Sequence, residues 1–284
     1  MRFALLFLLT ANLFAVEAQH YTTVEPTREH HAKGFRRKDV KLPEHVNREM
    51  AVQIPDSLDL RPKISPILNQ GQCGSCYAHG TISSVRDALM LAGKDPGALS
   101  PQMLMDYSGD GCNGGYFDVL QLVVSPNAPL ASNYPYTAQN QGKQNLVKPL
   151  TAIGSWAMLG SNGVVTPKDI ETFMVQYNAP VPITISAGSG NFEYYSSGIY
   201  DGCVNGAIDH LVAIVGFANE GAQFGSNGYL PASKGYWIVR NSWGATWGEQ
   251  GYVRIRMTDT AGNKCNGVAD QAAGFFLTQA GLKK

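Results

Sequence analysis

Charge is scarce in this 284-residue chain: charged side chains make up 15% of it, and 22 basic residues balance 22 acidic ones. A formal net charge of zero creates no field that would gather a polyanion, so no nucleic-acid partner is implied. Beyond the first 18 residues no apolar run is long enough to span a bilayer. No internal repeat and no low-complexity tract occurs, so repeat architectures are not expected. No Asn-x-Ser/Thr sequon is present, which leaves glycan-dependent sorting without an acceptor. Cysteines number only five, and the single C-x-x-C has no second pair or histidine pair at zinc spacing. Neither a metal nor a cofactor is expected.

What is present divides into three parts. Residues 1–18 hold Arg2, an apolar run from Phe3 to Leu9 continuing to Val16, and small residues before a cut after Ala18. That is the pattern of a secretory leader, too short and too interrupted by Thr10 and Asn12 for a transmembrane helix. Residues 19–53 contain four of the six histidines and the basic cluster Arg36-Arg37-Lys38, with almost no apolar periodicity. This stretch reads as a short, loosely structured propeptide. Residues 54–284 are long enough for one large domain or two lobes sharing a cleft.

Within that domain the first half reads as helical and the second as strands. Apolar residues recur at Ala78, Ile82, Val85 and Leu89, which makes a helical face from Cys76 to a stop at Gly93. Ser100-Pro101 opens a second helix, Tyr116 to Val124 forms a third, and Thr166-Pro167 opens one more. Strands are expected over Val181–Ser186, Leu211–Phe217, Gly235–Asn241, Gly251–Met257 and Phe275–Thr278. Helices followed by strands predict an α+β protein of two lobes.

An odd cysteine count in an exported chain is met most simply by two disulfides and one free thiol. Cys76 lies in the first turn of a helix, where free amides and the dipole favour a thiolate, so it is the candidate for the free one. Cys73 then pairs with Cys112, and Cys203 with Cys265. A structural pair and a redox C-x-x-C are the competing readings of Cys73 and Cys76. The redox reading needs a strand before the motif, and Pro66 and Gly71 make that stretch a poor strand.

A nucleophilic cysteine needs a base, and only His79 and His210 lie downstream of residue 53. His79 reads as a packed or solvent-facing helix histidine. His210 opens a buried apolar run, from which its ring would project into a cleft. Asn241 ends another strand, followed by Trp243 and Trp247. Its side-chain oxygen would fix the imidazole tautomer, with the indoles excluding water.

Gln70 with Cys73-Gly74-Ser75-Cys76-Tyr77, Asp209-His210, and Asn241-Ser242-Trp243-Gly244 together resemble the three active-site motifs of the papain-like cysteine peptidases. His210 follows Cys76 by 134 residues and Asn241 by 165, the long loop from about Asn219 to Lys234 lengthening the second interval. The resemblance covers about Ile54 to Thr278. It implies the papain-like two-lobed α+β fold, with a helical lobe, a β-barrel-like lobe and an active-site cleft between them. It also implies Cys76 as nucleophile, His210 as general acid and base, Asn241 as its orienter, and Gln70 as oxyanion-hole donor. Gly114, Gly115, Tyr116, Phe117, Ile208, Asp209 and Trp243 become the substrate-binding residues, with Asp270 or Gln271 at the floor of the apolar pocket. The family further implies a zymogen, endopeptidase action on peptide or protein substrates, cystatin-type inhibitors and a monomer, in a secreted or a lysosomal or vacuolar setting. A non-catalytic peptide-binding relative is the rival reading. The chain departs from the family at Tyr77 (usually Trp), at His79 (commonly Phe) and at Tyr107, where another cysteine usually sits. Its propeptide also lacks the long helical inhibitory pattern.

Overall fold

The computed structural model describes residues 21–24, 31–36, 52–147, 149 and 153–278. The leader lies outside the described residues, as do most of the segment up to residue 51 and the last six residues. Three helices come first. α1 (Cys76–Leu91) is buried along almost its whole length, which a helix of small residues (Ala78, Gly80, Ser83, Ser84, Ala88) permits by letting neighbours approach. α2 (Pro101–Ser108) has Ser100 as N-cap, its side chain accepting from the Met103 amide. α3 (Val119–Val124) starts three residues later than the sequence suggests, because the chain is still turning at Phe117 and Asp118.

The second half is built on β6 (His210–Ala218), a nine-residue strand buried over its first eight positions. On one side it pairs with β7 (Tyr236–Arg240), which pairs in turn with β8 (Tyr252–Arg256). On the other side it pairs with β4 (Val181–Ile185) through Ile214 and then with β2 (Ser57–Asp59) from Gly216. β5 (Tyr195–Tyr200) joins β8 in parallel, and β1 (Tyr21–Thr23) adds antiparallel to the outer side of β5. A separate pair, β3 (Ile153–Met158) with β9 (Ala273–Leu277), lies against α3 and β4. α4 (Pro167–Tyr177) carries the full capping box of Thr166 and Asp169. The α+β reading is met, with β1, β2, β3 and β5 as additions to the expected strands.

Two features bring α1 onto β6 and thereby set the site. A Cβ on Gly80 would stand 2.4 Å from the tip of the Leu211 side chain and 3.3 Å from its carbonyl oxygen, so glycine lets the helix lie close to the strand without displacing that leucine. Arg240 on β7 reaches Asp87 on α1 at 2.6 Å with both side chains buried, and its guanidinium also donates to the carbonyls of Ser65 and Pro66. Asp87 is further held by the amide and hydroxyl of Ser65. Cys73–Cys112 and Cys203–Cys265 are disulfides, and Cys76 is free and buried. Tyr107, at the position without the usual cysteine, donates its hydroxyl to the Gln144 carbonyl. No helix among the described residues is long and apolar enough to cross a membrane.

Candidate active site

The start of α1 and the start of β6 face each other, which puts Cys76 beside His210. Both side chains are fully buried. The Leu211 amide donates to Cys76 Sγ at 3.3 Å. The His210 ring bonds through Nε2 to Asn241 Oδ1 at 2.8 Å, and that oxygen also accepts from the Ser242 amide at 2.8 Å. An oxygen already taking an N–H can only accept, so Nε2 carries the ring proton and Nδ1 holds the lone pair. Trp243 lies against the imidazole with centroids 4.7 Å apart and planes 28° apart. Gln70 is buried and held at both ends: its amide donates to the Ser242 carbonyl, and its Oε1 accepts from Ser242 Oγ at 2.6 Å. The Gln70 carboxamide nitrogen is fixed by this: one N–H donates to the Cys73 carbonyl at 3.0 Å and the other is left to point into the cleft.

That cleft is filled by the chain itself. Within the stretch expected as a propeptide, residues 21–24 and 31–36 lie on the domain. Ala32 places its carbonyl on Gln70 Nε2 at 2.9 Å and on Trp243 Nε1 at 3.1 Å. His31 stacks on Trp243 at 4.5 Å and 10°. Lys33 forms an ion pair with Glu193. Gly34 passes so close to Gly74 that a Cβ would fall 1.9 Å from the Gly74 carbonyl oxygen. The Gly115 amide donates to the Gly34 carbonyl, and the Gly115 carbonyl accepts from the Arg36 amide. Phe35 is buried against Phe117, centroids 5.3 Å apart, with its amide donating to the Asp209 carbonyl. Arg36 lies over the ring of Tyr116 and pairs with Asp110. The sequence signals for these contacts were the two isolated aromatics Tyr21 and Phe35, too few to make a periodic pattern.

The residues singled out by sequence are therefore gathered in one place. Cys76, His210, Asn241 and Gln70 form one cluster, and Gly114, Gly115, Tyr116, Phe117, Asp209 and Trp243 line the track of residues 31–36. Ile208 lies beside Gly267. Asp270 is within electrostatic reach of Lys264 and Tyr229. His79 is not solvent-facing but buried, its Nδ1 bonded to Ser75. Sequence reasoning passed over Ser75 as a side chain and Tyr136 altogether; Tyr134-Pro135-Tyr136 was the available signal.

Burial decides the protonation of the pair. Desolvation pushes the Cys76 thiol up to about 12, although the amides of Leu211, Gly34 and Tyr77 pull the other way. Desolvation likewise drives His210 down to about 3, opposed by Asn241. His210 Nδ1 is buried without a hydrogen-bond partner among the described residues. Covered in this way, thiol and imidazole are each driven toward the neutral form.

The comparisons agree with this geometry. A family profile described as papain family cysteine protease matches residues 54–275. Cysteine protease 1 of rice is 34% identical over 229 residues, which are 78% of this chain and 44% of that protein. The KDEL-tailed cysteine endopeptidase CEP2 of Arabidopsis thaliana is 33% identical over 239 residues, covering 78% and 59%. The solved structure of digestive procathepsin L2 from Tenebrio molitor larval midgut superposes with a TM-score of 0.73 at 26% identity, over 91% of this chain and 84% of that one. The chain spans about half the length of the curated relatives it matches. With the profile covering most of its length, this chain belongs to the papain family of cysteine proteases.

Proposed function

We propose that this protein is an exported cysteine endopeptidase, kept latent by its own residues 31–36 until the chain up to about residue 53 is removed. The observation that carries the reading is the Ala32 carbonyl on Gln70 Nε2, a peptide carbonyl seated where an oxyanion would develop. The same segment makes the direction plain. A substrate with its scissile carbonyl on Gln70 would place the preceding residue toward Gly115 and Phe117. Here the residue in that place is Phe35, which follows Ala32. The segment thus runs against the direction that would be cut.

With the segment gone, water reaches the pair and the penalty on charge falls, so that Cys76 passes its proton to His210 Nδ1. The thiolate attacks the scissile carbonyl, and the tetrahedral oxyanion takes hydrogen bonds from Gln70 Nε2 and the Cys76 amide. Collapse breaks the C–N bond, and His210 protonates the leaving amine. Water, deprotonated by His210, then hydrolyses the thioester. Asn241 holds the ring and Trp243 shields that hydrogen bond. Endopeptidase action is supported by a cleft in which residues 31–36 pass as one continuous chain from Trp243 past Cys76 to Tyr116. Phe35 against Phe117 supports an apolar or aromatic preference in that pocket. The leader pattern and two disulfides support export, to the outside or to a lysosome or vacuole, and the substrates are peptides or proteins. A monomer and cystatin-type inhibitors belong to the same reading.

The test is labelling of acid-incubated full-length protein with a peptidyl epoxide, followed by intact mass and peptide mapping. One adduct on Cys76, on protein lacking residues up to about Gln53, is the expected result. No adduct on trimmed, folded, reduced protein would leave the non-catalytic peptide binder in its place.

A further inference from the structure

Behind Gln70 lies a second set of polar contacts, on the helical side of the cleft. Tyr136 donates its hydroxyl to the Gln70 backbone carbonyl at 2.7 Å. That hydroxyl has one proton, so in the contact at 2.9 Å Ser75 Oγ is the donor, a shorter bond than its alternative to the Cys73 carbonyl at 3.4 Å. Ser75 Oγ then takes a hydrogen bond from His79 Nδ1 at 3.2 Å, shared with the Ser75 carbonyl at 3.0 Å. A carbonyl only accepts, which places the His79 proton on Nδ1. The four groups therefore make a chain with a single direction, from His79 through Ser75 and Tyr136 to Gln70. The ring of His79 stands edge-on to that of Tyr136, centroids 4.6 Å apart and planes at 87°. Ser75 and His79 are fully or almost fully buried.

The placement of the two ends matters. Ser75 is the N-cap of α1 and immediately precedes Cys76. Gln70 is tied to the strand side through Ser242, by its backbone amide and by Oε1. Gln70 also bonds to Cys73 through Nε2 and its backbone carbonyl, and Tyr136 adds the shortest bond on that carbonyl, linking it through Ser75 to the helix bearing the nucleophile. An oxyanion donor and a nucleophile act together only if their separation is held to a few tenths of an ångström.

We propose that Tyr136 is a positioning residue for the reaction, holding the Gln70 loop at a fixed distance from Cys76, with Ser75 and His79 orienting its hydroxyl. This rests on the reading of Gln70 as the oxyanion donor. It concerns acylation and not thiolate formation, because Tyr136 touches neither Cys76 nor His210 in this network. The ring of His79 also borders a cavity of about 10 Å³ with Asn241 and Ser242, which puts it at the seam where α1 meets the strands.

The experiment is Tyr136→Phe in the full chain, activated by acid, alone and combined with Gln70→Ala. Peptide hydrolysis and alkylation of Cys76 by iodoacetamide are measured side by side. Alkylation needs the thiolate and no oxyanion donor. Tyr136→Phe is expected to lower kcat about 3- to 10-fold, the range of one lost hydrogen bond. KM, the alkylation rate with its pH profile, and Tm should stay close to the parent. In the Gln70→Ala background the same substitution should cost nothing, since the two act as one unit. Ser75→Ala should lower kcat in the same way. An unchanged kcat, an equal loss of alkylation, or an undiminished effect in the Gln70→Ala background would each overturn the proposal. An inactive parent enzyme would instead count against the peptidase reading itself.

Discussion

The carboxamide of Gln70 donates to the carbonyl of Ala32 at 2.9 Å, across 38 residues of sequence. The same Ala32 carbonyl takes the indole N–H of Trp243. The proposed latency needs no folded inhibitory domain. Residues 31–36 occupy the donor and lie over the site, where burial favours the neutral form of both the thiol and the imidazole. β1, paired with β5 and with Tyr21 against Tyr200, adds a second hold on the same stretch of chain.

Gly34 is the point where this hold is most exposed to substitution. A Cβ there would lie 1.9 Å from the Gly74 carbonyl oxygen, against backbone that cannot turn aside as a side chain would, so the segment must lift. Gly34→Val in the full-length chain should raise the rate of iodoacetamide alkylation of Cys76 at neutral pH more than about 10-fold, since even one unit of lowered thiol pKa gives tenfold more thiolate. Alkylation as slow as in the parent would show that residues 31–36 do not suppress the thiolate.

Removing the donor itself should act on turnover. Gln70→Ala in the activated protein is expected to cost about 10²- to 10³-fold in kcat with a smaller change in KM, the size found for oxyanion-hole donors. Asn241→Ala should also lower kcat, because Nε2 of His210 loses the acceptor that sets its tautomer. Steady-state kinetics on a fluorogenic peptide with an aromatic second residue before the cut checks both.

Much of this site was legible in the sequence because its chemistry sits at the ends of regular elements. Cys76 opens α1, His210 opens β6 and Asn241 follows β7, and each of those elements has a strong apolar pattern. β5 was not legible, since Tyr195–Tyr200 is buried only at its two ends, with Ser196, Ser197 and Gly198 between. β3 was hidden by a register slip between Ile153 and Ser155 that breaks its alternation. The docking of residues 21–24 and 31–36 escaped notice for a different reason. It relies on backbone hydrogen bonds, on Gly34 being small, and on two separate aromatics, and none of these makes a local pattern. Tyr136 belongs to the same class, as a side chain defined by a partner 66 residues away.

His79 should make the protein acid-sensitive. Burial holds its pKa down at about 4, below the ordinary 6.5. The unfolded chain therefore takes up a proton below pH 6.5 that the folded protein refuses until about pH 4. The stability contributed by neutral His79 is complete above pH 6.5 and is lost as pH falls toward 4, at about 1.4 kcal/mol per pH unit. In a Cys76→Ser background, which prevents self-cleavage, Tm is expected to fall more steeply over this window in the His79 protein than in His79→Phe. Parallel Tm curves for the two between pH 7 and pH 4 would count against a neutral, buried His79.

The ion pair of Asp87 with Arg240 is the last determinant, since it pins α1 to β7 and so sets the distance from Cys76 to Asn241. Both side chains are buried, and every oxygen of Asp87 is used: Oδ1 by the amide and hydroxyl of Ser65, Oδ2 by the guanidinium. Asp87→Ala leaves Arg240 charged and buried with only the Ser65 and Pro66 carbonyls for company. Removing one partner of a buried pair costs about 3–5 kcal/mol, a large fraction of a domain's stability. Urea unfolding of Cys76→Ser protein with and without Asp87→Ala should show a loss of that size. A loss below about 1 kcal/mol would mean the pair is no more than a surface contact in effect, and that α1 is held to the strands by apolar packing alone.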